Sequence, residues 1–101
     1  MQINIKATKA QLTPQAHDII NEKIESLAKY CDCIIKADVE VGLTSLHHNK
    51  GDIYRAEVNL EVPGKVLRAE AETENITKSM NEVRDKLKME LVKYKEKIRE
   101  K

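Results

Sequence analysis

Four tracts in which apolar and polar residues alternate, and two in which apolar residues recur every third or fourth position, predict an α+β domain of order β-α-β-β-β-α. Helix-start signals at Thr13-Pro14 and Asn75, and the turn pair Pro63-Gly64, punctuate the tracts. Each strand tract has one apolar face. A single four-stranded mixed sheet is therefore expected, with both helices packed on one side and the other side wet.

The first strand is expected over residues 2–7, where Ile3, Ile5 and Ala7 alternate with Gln2, Asn4 and Lys6. Thr13 suits an N-cap, and Pro14 suits the first helical position because its missing N–H would have no partner there. On a helical wheel Ala16, Ile20, Ile24 and Leu27 share a face, flanked by Ile19, Ala28 and Tyr30, so this helix should run to about Tyr30. Residues 34–45 alternate again, with Ile35, Ala37, Val39, Val41 and Leu43 on one face. The tract SLHHNKGD reads as a hairpin loop. Tyr54, Ala56, Val58, Leu60 and Val62 then form one face of the third strand, and Leu67, Ala69 and Ala71 one face of the fourth. The last helix carries the stripe Ile76, Met80, Val83, Leu87, Leu91, Tyr94 and Ile98. The first β-α-β step is long enough for a parallel crossover, and the later strands should form an antiparallel meander.

The 101 residues suit one domain, spanning 1–101, with 41% hydrophobic and 35% charged residues. No apolar run approaches the ~18–20 residues that cross a bilayer, and MQINIKATKA lacks a secretory apolar region. A cytoplasmic location is expected, with no membrane partner. Cys31 and Cys33 are close neighbours, and reduced thiols are expected of them. Together with His47 and His48 they could be drawn as a zinc site. A lone C-x-C lacks the matched second pair of such sites, so no metal is expected. No cofactor or small-molecule substrate is expected either. The glycines form no phosphate-binding pattern, no nucleophile is tied to the histidines, and the outward acids of the strands lie on an open face without a cleft. An enzyme is not expected.

The net charge of +1 hides a division. From Asn75 to Lys101 there are nine Lys or Arg against five Asp or Glu, whereas residues 1–74 hold nine against twelve. On the last helix Lys86, Lys93 and Lys97 lie within about 40° of one another on one flank of the apolar stripe. Arg84, Lys88, Lys95 and Arg99 occupy the other flank. Two readings remain open. The long cations snorkel over the core edge and complement the helix dipole, or they form a surface for a polyanion. Lys23, inside the apolar arc of the first helix, is better placed at a groove between the helices than in a core. Lys29 extends the same line. The absence of Trp and Phe speaks against modules that stack single-stranded bases on aromatic platforms.

The order of elements, with the stretches LRAEAETEN and RDKLKMELVKYKEK, resembles the ribosome hibernation promoting factor family. That family includes the ribosome-associated inhibitor and is also called the sigma-54 modulation protein family. The likeness runs from QINIKA through NEKIESLAKY to KYKEK. It implies a domain akin to double-stranded RNA-binding domains, lodged in the decoding cleft of the small ribosomal subunit on 16S rRNA, where mRNA and tRNA would bind. Lys23, Lys29, Arg68, Lys86, Lys93 and Lys95 match basic positions common in the family, and Lys88 and Lys97 add charge nearby. Departures are Met89, Glu90 and Val92, where relatives carry basic or amide residues, Cys31, where many carry Phe, and Thr77, where an aromatic is common. Ending at Lys101, the chain looks like a short form without the dimerisation domain of the long forms. Its oligomeric state is left open, with a monomer as the working expectation. The alternative function is a protein-binding regulatory module, such as sigma-factor modulation, which exposed Met89 and Val92 would suit.

Overall fold

The computed structural model describes residues 1–9, 11–44 and 53–99. In chain order these form β1 (Gln2–Thr8), α1 (Pro14–Glu25), a 3₁₀ turn (Ser26–Lys29), β2 (Lys36–Leu43), β3 (Tyr54–Val62), β4 (Lys65–Thr73) and α2 (Ile76–Arg99). The sheet order is β1-β2-β3-β4, with β1 parallel to β2 and the other neighbours antiparallel. This is the predicted β-α-β-β-β-α mixed sheet. The expected hairpin loop, with His47 and His48, lies outside the described residues.

Local chemistry sets the element ends. The Ala16 N–H donates to Thr13 Oγ1 at 3.1 Å, and the Lys78 N–H donates to Asn75 Oδ1 at 2.7 Å, so both expected N-caps are made. The first helix is shorter than predicted. Ser26 Oγ donates to the Lys23 carbonyl at 2.6 Å, competing for an acceptor of the last turn, and the chain tightens into the 3₁₀ turn at that point. Pro63 and Gly64 close the β3–β4 hairpin, with Gly64 at φ +80° where a side chain would be strained. Gly42 has a different reason. A Cβ there would run into the Thr8 carbonyl, so a glycine lets β1 and β2 approach.

The core lies between the sheet and the two helices. Ala37, Val39, Val41, Ala56, Val58, Leu60, Val62 and Leu67 meet Ile20, Ile24, Leu27, Met80, Val83, Leu87 and Leu91. Buried Ser79 donates to the Tyr54 carbonyl at 2.9 Å and shares a 2.7 Å hydrogen bond with Thr73 Oγ1, so its hydroxyl is satisfied.

Three expectations need correction. Ile34 is in the core, whereas Ile35 is 50% exposed. The regular pleat begins at Lys36, so the preceding turn orients these two side chains. Ile98 is 53% exposed, although it continues the stripe of α2. Tyr94 is the last buried residue of that stripe, its hydroxyl donating to the Pro63 carbonyl at 2.6 Å, and the helix continues past the hairpin turn that ends its cover. Finally, Cys31 and Cys33, expected as separate thiols, bring their sulfur atoms into direct contact. The bend after the 3₁₀ turn brings their Cα atoms to 5.1 Å, inside the range a disulfide spans; an extended chain would hold them about 7 Å apart.

Leu87 faces the sheet from the middle of α2, fully buried. Leu87→Ala should cost about 2–5 kcal/mol in chemical denaturation. Lys93→Glu, two turns on and exposed, should stay within about 0.5 kcal/mol. Equal losses would contradict this placement of α2.

Candidate nucleic-acid interface

Because the stripe Met80, Val83, Leu87, Leu91 and Tyr94 is buried against β3 and β4, the rotation of α2 about its own axis is set. Each basic flank therefore points in a defined direction. One flank lies along the free edge of β4. There Lys86 Nζ donates to the Glu70 carbonyl at 2.7 Å, and Lys86 shares a hollow of about 400 Å³ with Arg68, Glu70 and Glu90. Further along, Lys93 and Lys97 line a hollow of about 270 Å³ with Lys65, Tyr94 and the acids Glu90 and Glu96. The other flank faces the 3₁₀ turn. Lys88 Nζ sits 5.1 Å from the Tyr30 ring centroid, and Lys95 and Lys29 line a hollow with Tyr30, Val92 and Glu96.

The two basic flanks of α2 thus do not both border its junction with α1 and the 3₁₀ turn. Lys29, Lys88 and Lys95 gather there, while Lys86, Lys93 and Lys97 follow the sheet edge with α2 between the groups. The reason is that α2 packs over β3 and β4, which leaves only one flank toward α1 and the 3₁₀ turn. Lys65 joins the edge group and had no helical periodicity to announce it. Lys23 is half-buried on α1, beside Ile20, Ile24 and Leu27. Among the described residues, none of Lys23, Lys29, Lys86, Lys88, Lys93, Lys95 and Lys97 is in an ion pair. Arg84 differs, with its guanidinium on Asp85 at 3.1 Å.

Arg68 stands apart. It belongs to the helix-free face of the sheet, where the strand registers place Glu40, Glu57 and Glu70 directly opposite one another. Arg68 pairs with Glu57 and reaches Glu70 at 3.7 Å, while Arg55 pairs with Glu70 and reaches Glu57 at 3.6 Å. Like charges opposed across strands destabilise a sheet, and the two arginines relieve that repulsion. The hydrogen bond from Arg55, and then its charge, hold the Glu70 carboxyl below the usual carboxylate range. Nearby, Asn4, Lys6, Asp38, Glu40, Glu57 and Asn59 line a hollow of about 370 Å³ with more acid than base, unsuited to phosphate.

The sequence profile of the family described as Sigma 54 modulation protein / S30EA ribosomal protein matches residues 3–99. The chain belongs to this family. A ribosome hibernation promoting factor of Azotobacter vinelandii is 31% identical over 97 residues, covering 96% of this chain and 85% of that protein. A ribosome hibernation promotion factor of Picosynechococcus is 32% identical over 98 residues, covering 96% of this chain and 50% of its own length. The chain spans about half the length of that relative and of one from Bacillus subtilis. The N-terminal domain of Thermus thermophilus Protein Y superposes with a TM-score of 0.80 over 93% of this chain and 99% of that one. At 23% identity this shows a shared fold. That domain therefore shares the two-helix, four-strand frame on which these lysines stand. No helix among the described residues is long and apolar enough to cross a membrane.

The Glu70 shift has a signed consequence. A depressed carboxylate contributes stability that is present above its unfolded pKa and is lost as pH falls through the lower folded value. The thermal midpoint should therefore drop as acid carries the protein through and below the ordinary carboxylate range. Glu70→Gln should flatten that drop and leave Arg55 with Glu57 alone at neutral pH. An unchanged acid limb in the variant would remove the network as its source.

Proposed function

We propose that this chain is a ribosome-associated hibernation factor that acts by occupancy. It lodges in the decoding cleft of the small subunit, lays its lysines on 16S rRNA phosphates and keeps mRNA and tRNA out. The observation that carries this reading is the contrast in pairing. Lys23, Lys29, Lys86, Lys88, Lys93, Lys95 and Lys97 stand without carboxylate partners among the described residues, while Glu57 and Glu70 on the opposite face of the sheet hold both Arg55 and Arg68. Unpaired cations release counterions from a polyanion on contact, and a rigid domain supplies the shape that double-stranded RNA is recognised by. The names of the relatives agree with this process. Occupancy needs no catalytic group, and ribosome association places the protein in the cytoplasm.

Neutralising about five phosphates makes affinity fall roughly as the 3.5–4.5 power of salt concentration. Co-sedimentation with small subunits across a salt series should follow that slope, and a flat response refutes the electrostatic mechanism. Reversing Lys86 and Lys93 to Glu together should abolish pelleting at moderate salt and leave the melting temperature nearly unchanged. Arg68→Gln should weaken pelleting far less, because its guanidinium is already held by Glu57.

Met89, 61% exposed, and Val92, 40% exposed, favour a second reading as a protein-binding regulatory module. Recovery of a protein partner that resists both salt and ribonuclease would support it.

A further inference from the structure

We propose that the hollow between the 3₁₀ turn and α2 is a binding site for a single unstacked RNA base, with Tyr30 as its stacking surface. The proposal rests on the RNA-binding reading above and assigns one part of that surface a distinct task. Lys29, Tyr30, Val92, Lys95 and Glu96 line the hollow, and its volume is about 270 Å³. That lies just under the roughly 300 Å³ at which pockets begin to enclose whole small molecules, so a base fits better than a complete cofactor.

The chemistry at its two ends differs. Lys88 lies over the Tyr30 ring at 5.1 Å from its centre, so on the α2 side the π face is covered by a flexible side chain that a base would have to displace. A base sliding onto that face replaces a cation–π contact with stacking and leaves Lys88 and Lys29 free to take the flanking phosphates. Val92 supplies an apolar wall. Glu96 repels phosphate from the far end and can accept a hydrogen bond from an exocyclic amine, as carboxylates do at cytosine. Tyr94, beside the lysines of the other flank, is buried and its hydroxyl is bonded to Pro63. Tyr30 is the half-buried ring that is packed against the core yet open to a cationic hollow. A shape-reading domain with one base pocket would prefer RNA in which a helix carries a single bulged or looped-out nucleotide.

Two RNA hairpins that differ at one bulged position, adenosine in one and an abasic residue in the other, test this directly. Fluorescence anisotropy at fixed salt should show the intact protein binding the adenosine form roughly 5- to 150-fold more tightly. Tyr30→Leu should erase the difference and Tyr30→Phe should keep it. Both variants should retain the wild-type salt slope, because the lysines are intact. Equal affinity of the intact protein for the two hairpins, or binding to neither, overturns the base site. If salt-dependent pelleting with small subunits survives that result, the ribosomal reading stands alone. Base-dependent hairpin binding without any pelleting supports the site and sinks the ribosomal reading instead.

Discussion

The seating of α2 on β3 and β4 governs everything else in this fold. Met80, Val83, Leu87 and Leu91 are fully buried, and Tyr94 is tied to the hairpin turn through Pro63. Burial of a leucine or methionine side chain contributes about 1.5–3 kcal/mol, so turning the helix even by one residue's arc would expose several such contributions at once. With rotation held this firmly, a charged residue beside the stripe has little choice of neighbour. Lys86 must look over the β4 edge, and Lys88 must look toward Tyr30. The function proposed here therefore follows from apolar packing as much as from charge.

Much of the fold was legible because period-2 and period-3.6 patterns depend on burial, and burial is clean here. The caps at Thr13 and Asn75 were legible because few residue types satisfy a first-turn N–H. What failed lay where the repeat stops. Ser26 turned its hydroxyl on a backbone carbonyl and shortened α1, Ile34 took the core position expected of Ile35, and Ile98 outran the sheet it was meant to cover. The meeting of the two cysteines was hidden for a similar reason, since the bend that brings Cys31 to Cys33 belongs to no periodic element.

The candidate site was legible on α2 and less so elsewhere. A helical wheel gives the angle between Lys86 and Lys88 but not what lies beside each, so the sequence could not say which flank meets the sheet edge and which the helix junction. Lys65 was missed because one lysine at the start of a strand has no pattern. Arg68 is a different case. Its alternation with Leu67 and Ala69 already placed it away from the helices, and only the family resemblance named it as an RNA contact. The strand register adds that three glutamates stand in line across β2, β3 and β4, and that the guanidinium beside them is already engaged with carboxylates.

Dipole complementation alone does not account for the lysines of α2. The dipole acts within the last turn, where a cation contributes about 0.3–1 kcal/mol, so it speaks for Lys97 and not for Lys86 or Lys88. Snorkelling explains why long side chains border a core; Glu70, Glu90 and Glu96 line the same hollows, yet among the described residues none of them closes an ion pair with these lysines. Lys93 and Lys97 stand one turn apart on the same flank, a spacing at which like charges cost about 0.2–0.5 kcal/mol and a Glu-Lys pair would gain as much. Arg84 and Lys88 repeat the pattern on the other flank, and only Arg84 has its acid, Asp85. The far face of the sheet resolves its own repulsions with Arg55 and Arg68. The like-charge cost between Lys93 and Lys97, and between Arg84 and Lys88, is one that a bound polyanion would lower.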